Sequence, residues 1–211
     1  MSDIRSYSTI AEHADPSQLA GQLNTHRAAM NKAILGEGGT VMQFVGDAVM
    51  AVFGAPFPQD DHADRAVAAA SSMHELQAGI NARWEADGLP AFGLGLGLST
   101  GAAAAALLGS AERLEYTLVG DTVNLCQRLQ QLAAKGETVA SEATIKALKA
   151  AVDTILLGAQ QVKGRETPVI AYKIVCLHAR PAEGQAGPPG PGAVDNSTSQ
   201  MGGLCPRARP R

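Results

Sequence analysis

The chain has 211 residues, 45% of them hydrophobic, and a formal net charge of −3. Such a chain can bury a core large enough to fold without disulfide or metal staples. The mild negative charge excludes the basic footprint of a nucleic-acid binder, and no apolar run reaches the roughly 18 residues that a membrane span needs.

Asp15-Pro16-Ser17 predicts a helix start, with Asp15 as N-cap and Pro16 in the first turn. Leu19, Leu23, Met30 and Ile34 then share one helical face up to Gly36. After Gly38-Gly39, two apolar runs, Val41–Val45 and Ala48–Phe53, flank Gly46-Asp47 and predict a β-hairpin of core strands. Ala66, Ala69, Met73, Leu76 and Ile80 recur at helical spacing. Gly93–Leu98 alternates glycine and leucine, a strand whose glycine face admits a close neighbour. Ala102–Leu108, bracketed by Gly101 and Gly109, reads as a further strand. Thr122–Ala134 is helical, with Leu125, Leu129 and Leu132 on one side and Asp121 or Thr122 as its cap. Ser141 caps a short helix through Leu148, and Asp153–Val162 and Val169–Val175 are extended.

These elements interleave, so the class is α/β or α+β around one sheet. The domain covers residues 1–178. From Ala179 to Arg211 the chain is rich in Pro, Gly and Arg and poor in large apolar residues, which predicts a disordered tail. Cys126, Cys176 and Cys205 are scattered, with no C-x-x-C, and Met1–Arg5 holds no apolar leader. A reduced, cytoplasmic setting is expected. The five histidines show no zinc-ligand spacing and read as surface or helix filler.

An isolated Asp in a turn serves turn geometry, so Asp47 alone says little. Asp3 lies in Ser2-Asp3-Ile4-Arg5 and Asp47 in Phe44-Val45-Gly46-Asp47-Ala48-Val49; each pairs an acid with a strand end. Two carboxylates at adjacent strand ends can hold two hard cations for an in-line phosphoryl displacement. In Gly120-Asp121-Thr122-Val123-Asn124-Leu125-Cys126-Gln127-Arg128, Asn124 and Arg128 share a helical face distinct from the leucine face. Such residues are ordinarily solvated surface. Here they follow a glycine loop and a helix start, where phosphate is favoured, and Arg gives planar donation to a phosphoryl group. Val162-Lys163-Gly164-Arg165 sets two more cations near a strand end.

Together these segments resemble the class III adenylate/guanylate cyclase catalytic domain from Asp3 to about Val175. Phe44–Gly54 and Glu115–Leu129 are the most specific stretches, with Asp60–Ala66 and Gly97–Gly101 also similar to family sequence. The resemblance implies a ferredoxin-like βαββαβ core related to polymerase palms, with sites shared across a head-to-tail homodimer. It further implies metal binding by Asp3 and Asp47, base recognition by Gln43 and Thr117, ribose orientation by Asn124, transition-state stabilisation by Arg128 and polyphosphate contact by Lys163. The implied reaction converts ATP to 3′,5′-cyclic AMP and pyrophosphate with two Mg²⁺ or Mn²⁺ ions. A guanylate cyclase, or a weak or inactive cyclase-homology regulator, are the alternatives. Several residues depart from the family pattern: Gln43 stands where lysine is usual, Ala106 where glycine is frequent, and Ala102 where some members place an arginine. Only Met1 and Ser2 precede Asp3, so the first strand is expected to be missing or truncated.

Overall fold

A computed structural model describes residues 1–109, 114–161 and 168–177. Lys163 and the expected tail from Ala179 lie outside the described residues.

The elements run β1 (Ser2–Arg5), α1 (Tyr7–His13), α2 (Pro16–Gly36), β2 (Thr40–Val45), β3 (Ala48–Val52), α3 (His62–Ala86) and β4 (Gly93–Leu98). They continue with β5 (Ala104–Gly109), β6 (Leu114–Val119), α4 (Asp121–Leu132), β7 (Glu137–Ser141), α5 (Glu142–Ala147), β8 (Val152–Gln160) and β9 (Val169–Leu177). The seven-stranded sheet has the order β2-β3-β1-β4-β7-β9-β8, and β5-β6 forms a separate hairpin. The first four strands with the intervening helices are the expected βαββαβ core, its strands antiparallel to their neighbours.

Of the two expectations for the first strand, missing or truncated, the former is corrected. The first strand is present, and it sits at the centre of that core. Ser2–Arg5 pairs along its length with Gly93–Leu96 of β4. On its other side it meets β3 at one registered pair, Ser2 with Val49. The Met1 amine donates to the Gly97 carbonyl at 2.8 Å, and the Gly97 amide returns a bond to the Met1 carbonyl at 2.8 Å. Four residues suffice because the ladder to β4 is complete. Beside this strand lies a cavity of about 380 Å³ whose lining includes Met1, Val49, Met50, Phe53, Met73 and Leu98.

The two sheet faces are built differently. Ile4, Val49, Leu94 and Leu96 face α2 and α3, where they pack with Met30, Ile34, Met73 and Trp84. A polar chain crosses this layer: His26 bonds Gln77 (2.8 Å), Gln77 donates to Asn81 (2.8 Å), and Asn81 donates to the Phe92 carbonyl (2.8 Å). His26 is therefore buried structure rather than surface filler, and burial holds its imidazole below the usual histidine range. The opposite face carries the glycines. A Cβ at Gly97 would stand 2.3 Å from the Gln130 amide nitrogen and 2.4 Å from the Cys126 carbonyl, so only glycine lets the α4 backbone press onto β4. Leu125, Leu129 and Ala133 then close a second small core with Val139 and Ala171.

Asp15 caps α2 and Ser141 caps α5 as expected. The cap of α4 is Gly120, not Asp121 or Thr122; its φ of 148° suits glycine, and Asp121 becomes the first helical residue. The helix α1 and the strands β6 and β7 are additions to the sequence reading.

Candidate active site

Asp3 and Asp47 come together although 44 positions separate them in sequence. Asp3 is on the central strand, and Asp47 follows Gly46 in the β2–β3 turn. Gly46 adopts φ +60°, the left-handed geometry that a tight hairpin turn favours. The turn folds back over β1, and Asp47 Oδ2 accepts the Ile4 amide at 3.0 Å. The Asp47 carboxyl is pushed up to about 6, chiefly by burial and then by its hydrogen bond with Asp3, against the opposing pull of the Ile4 amide.

Two half-buried carboxyl groups this close form the arrangement that a divalent cation relieves, and their hard oxygens fit Mg²⁺ or Mn²⁺. Among the described residues no cluster of three or more His, Cys, Asp or Glu side chains forms. Further ligands for such an ion would be water and phosphate oxygens, as Mg²⁺ commonly takes.

Two residues at this centre escaped the sequence reading. The side-chain amide of Gln130, on α4, donates to Asp3 Oδ2 at 3.3 Å. Arg5 donates to the Gln130 carbonyl at 3.0 Å and lies 4.0 Å from Asp3 Oδ2. Arg5 shares the Asp3 face of β1 by strand alternation, which was legible in the sequence. Gln130 was hidden, because nothing in a run of Leu-Gln-Gln-Leu says which glutamine faces the sheet.

The other expected residues lie apart from the two acids. Asn124 is exposed on α4. Arg128 donates to Gln131 of its own helix at 3.1 Å, and no hydrogen bond or ion pair joins either residue to Asp3 or Asp47 among the described residues. Gln43 is on β2, at a bulge between Val41 and Gln43. Thr117 is on β6, which leans against β2. The hairpin strands, read as core, include an edge strand: β2 leaves Phe44 and Val45 37% and 56% exposed.

Residues 1–176 match the family model for the adenylate and guanylate cyclase catalytic domain. Adenylate cyclase 1 of Rhizobium meliloti is 34% identical over 175 residues, which cover 82% of this chain and 26% of that protein. The chain thus spans about a quarter of that relative's length. Among solved structures, the adenylyl cyclase CyaB from P. aeruginosa superposes with a TM-score of 0.79 at 32% identity, covering 85% of this chain and 92% of that one. The guanylyl cyclase Cya2 gives 0.77 at 30% identity, covering 84% and 90%. A guanylate cyclase domain from Catenaria anguillulae, solved in complex with GTP, gives 0.76 at 26% identity, covering 84% and 94%.

Proposed function

The chain belongs to the adenylate and guanylate cyclase catalytic domain family, and on that premise we propose that it converts ATP, in preference to GTP, to the 3′,5′-cyclic nucleotide and pyrophosphate. The observation that carries this reading is the Asp3–Asp47 pair, with Asp47 tied beside Asp3 by the Ile4 amide at 3.0 Å and its carboxyl pushed up to about 6.

Asp3 and Asp47 would hold Mg²⁺ or Mn²⁺. Bound there, two cations supply electrostatic stabilisation of the attacking 3′-oxygen and of the departing pyrophosphate. Gln130 and Arg5 keep the Asp3 carboxylate in place. Asn124 orients the ribose, Arg128 donates to the phosphoryl oxygens in the transition state, and Lys163 contacts the polyphosphate. Gln43 and Thr117 meet the base edge. Adenine offers an acceptor at N1 and a donor at its amino group, and guanine the reverse. The amide of Gln43 can face either base, so its discrimination is mild.

The active form is a head-to-tail homodimer. Neither Asn124 nor Arg128 bonds the acids of its own chain among the described residues, and a second chain would bring its own acid pair to them. Two-fold symmetry, with each chain facing the other's acids, completes two equivalent sites at once. A weak or silent cyclase-homology domain is the second reading. It draws on the single β1–β3 pair and the cavity beside it.

The test is incubation of the protein with Mn²⁺ and ATP or GTP, following cyclic product and pyrophosphate. Wild type should form cyclic AMP faster than cyclic GMP. Asp47→Ala should lose at least about 10³-fold in rate while melting within about 10 °C of the wild type, because it removes the acceptor of the Ile4 amide from a half-buried turn but no core side chain. Substantial activity in Asp47→Ala would refute the two-metal reading.

A further inference from the structure

We propose that Arg27 is a positioning residue for the metal-binding turn, holding the Gly46 carbonyl so that Asp47 stays aimed at Asp3. The proposal rests on the metal reading of Asp3 and Asp47 given above.

The turn needs such a hold. β2 is an edge strand of the seven-stranded sheet, with β3 on one side and, on the other, no strand of that sheet, although β6 of the separate hairpin leans against it. Gly46 is exposed, and a Cβ placed on it would meet nothing within 4 Å. Packing therefore does not fix the peptide that leads into Asp47. Two polar ties do. Asp47 Oδ2 accepts the Ile4 amide at 3.0 Å, from the central strand. Arg27 Nη2 donates to the Gly46 carbonyl at 2.5 Å, from the middle of α2.

The base of the second tie is rigid. Arg27 follows the fully buried His26, and Met30 and Ile34, further along α2, are also buried in the core. Its guanidinium also lies over the Phe44 ring, 5.2 Å from the centroid, three residues before Asp47. The planar cation thus grips the last residues of β2 and the turn together, a geometry that a lysine ammonium cannot reproduce. Arg27 is not among the influences that shift Asp47; burial, Asp3 and nearby backbone amides are. The guanidinium acts on the carbonyl and the ring, so its effect reaches the carboxylate through the backbone. Releasing the turn would leave its ordering to be met when the ion binds, which weakens binding.

The experiment uses the full chain and Mn²⁺ alone, titrated at pH 7.5 with free Mn²⁺ read by electron paramagnetic resonance. The variants are Arg27→Met, Arg27→Lys and Asp47→Ala, and metal-free melting is recorded for each. Arg27→Met should need about tenfold more Mn²⁺ for half-saturation, the scale of losing one charged hydrogen bond, with melting within about 4 °C of wild type. Arg27→Lys should fall between the two, and at saturating Mn²⁺ the KM for ATP should stay within about twofold of wild type in both. Loss of binding in Asp47→Ala with unchanged affinity in both Arg27 variants overturns the clamp alone. Equal binding by wild type and Asp47→Ala overturns the metal reading and the clamp with it. If Arg27→Met does not fold, Arg27→Lys decides, since wild-type affinity there overturns the proposal.

Discussion

The acid centre and the outer face of α4 are made in opposite ways. Asp3 and Asp47 are half-buried and tied to the central strand, to α4 and to each other. Asn124 is open to solvent, and Arg128 bonds only along its own helix among the described residues. Yet Gln130, on the same helix, is buried against Asp3. One helix therefore turns Gln130 toward the acids and leaves Asn124 open to solvent. The contrast teaches that a single chain brings its two carboxylates together by folding; in the proposed dimer, Asn124 and Arg128 would instead serve the acids of a second chain.

Mixing mutants is the severest way to break this comparison. Asp47→Ala and Arg128→Ala proteins should each be nearly inactive alone. Mixed in equal amounts, half of the dimers would be heterodimers with one intact site of two, so activity should return to about a quarter of wild type. Heterodimers that form and stay inactive would place both half-sites within one chain.

Gln43 sharpens where the border runs, because its hairpin also carries Asp47. If Gln43 reads the base, Gln43→Lys should raise the ATP-to-GTP ratio of kcat/KM about fivefold, the low end for an unpaired polar group. Unchanged selectivity would confine the hairpin to metal binding.

The smallest effect concerns the acid centre without metal. A carboxyl raised from 3.8 to about 6 keeps its proton better in the folded state. The wild type therefore loses stability as pH rises from about 4 to about 6, and no more above that. Asp47→Asn mimics the protonated acid and escapes this loss. Its advantage in metal-free melting should open across that window and plateau at on the order of 1 kcal/mol, discounted because the group is partly solvated. Mn²⁺ at pH 7 should cancel the advantage by stabilising only the wild type. An equal gap at pH 3.5 and pH 7 would show that Asp47 is not perturbed.

Local chemistry was readable wherever one residue decides a local geometry. Asp15-Pro16 started α2, Ser141 started α5, and Gly46-Asp47 turned the hairpin. The glycine face of β4 correctly announced a close approach, realised where Gly97 meets α4. The strand β7 went unread because Thr138, Val139, Ala140 and Ser141 are all buried between β4 and β9, which removes the alternation that marks a half-buried strand. The helix α1 is seven residues long and packs on the core through Tyr7 and Ile10 without fully burying either, too few apolar positions to set a helical period.

By itself the sequence determined the family, through its motifs in the stretches 44–54 and 115–129. It also determined the elements whose caps, turns and periodicity are written within a few neighbouring positions. Only the tertiary structure decided that Ser2–Arg5 is a central strand, that Gln130 and Arg5 brace Asp3, that Arg27 reaches the Asp47 turn, and that Arg128 bonds Gln131 of its own helix. Each of these depends on long-range strand register and helix rotation, which arise from burying apolar faces against partners distant in sequence. A strand shifted by one residue, or a helix turned by one position, would present different side chains with every local signal unchanged.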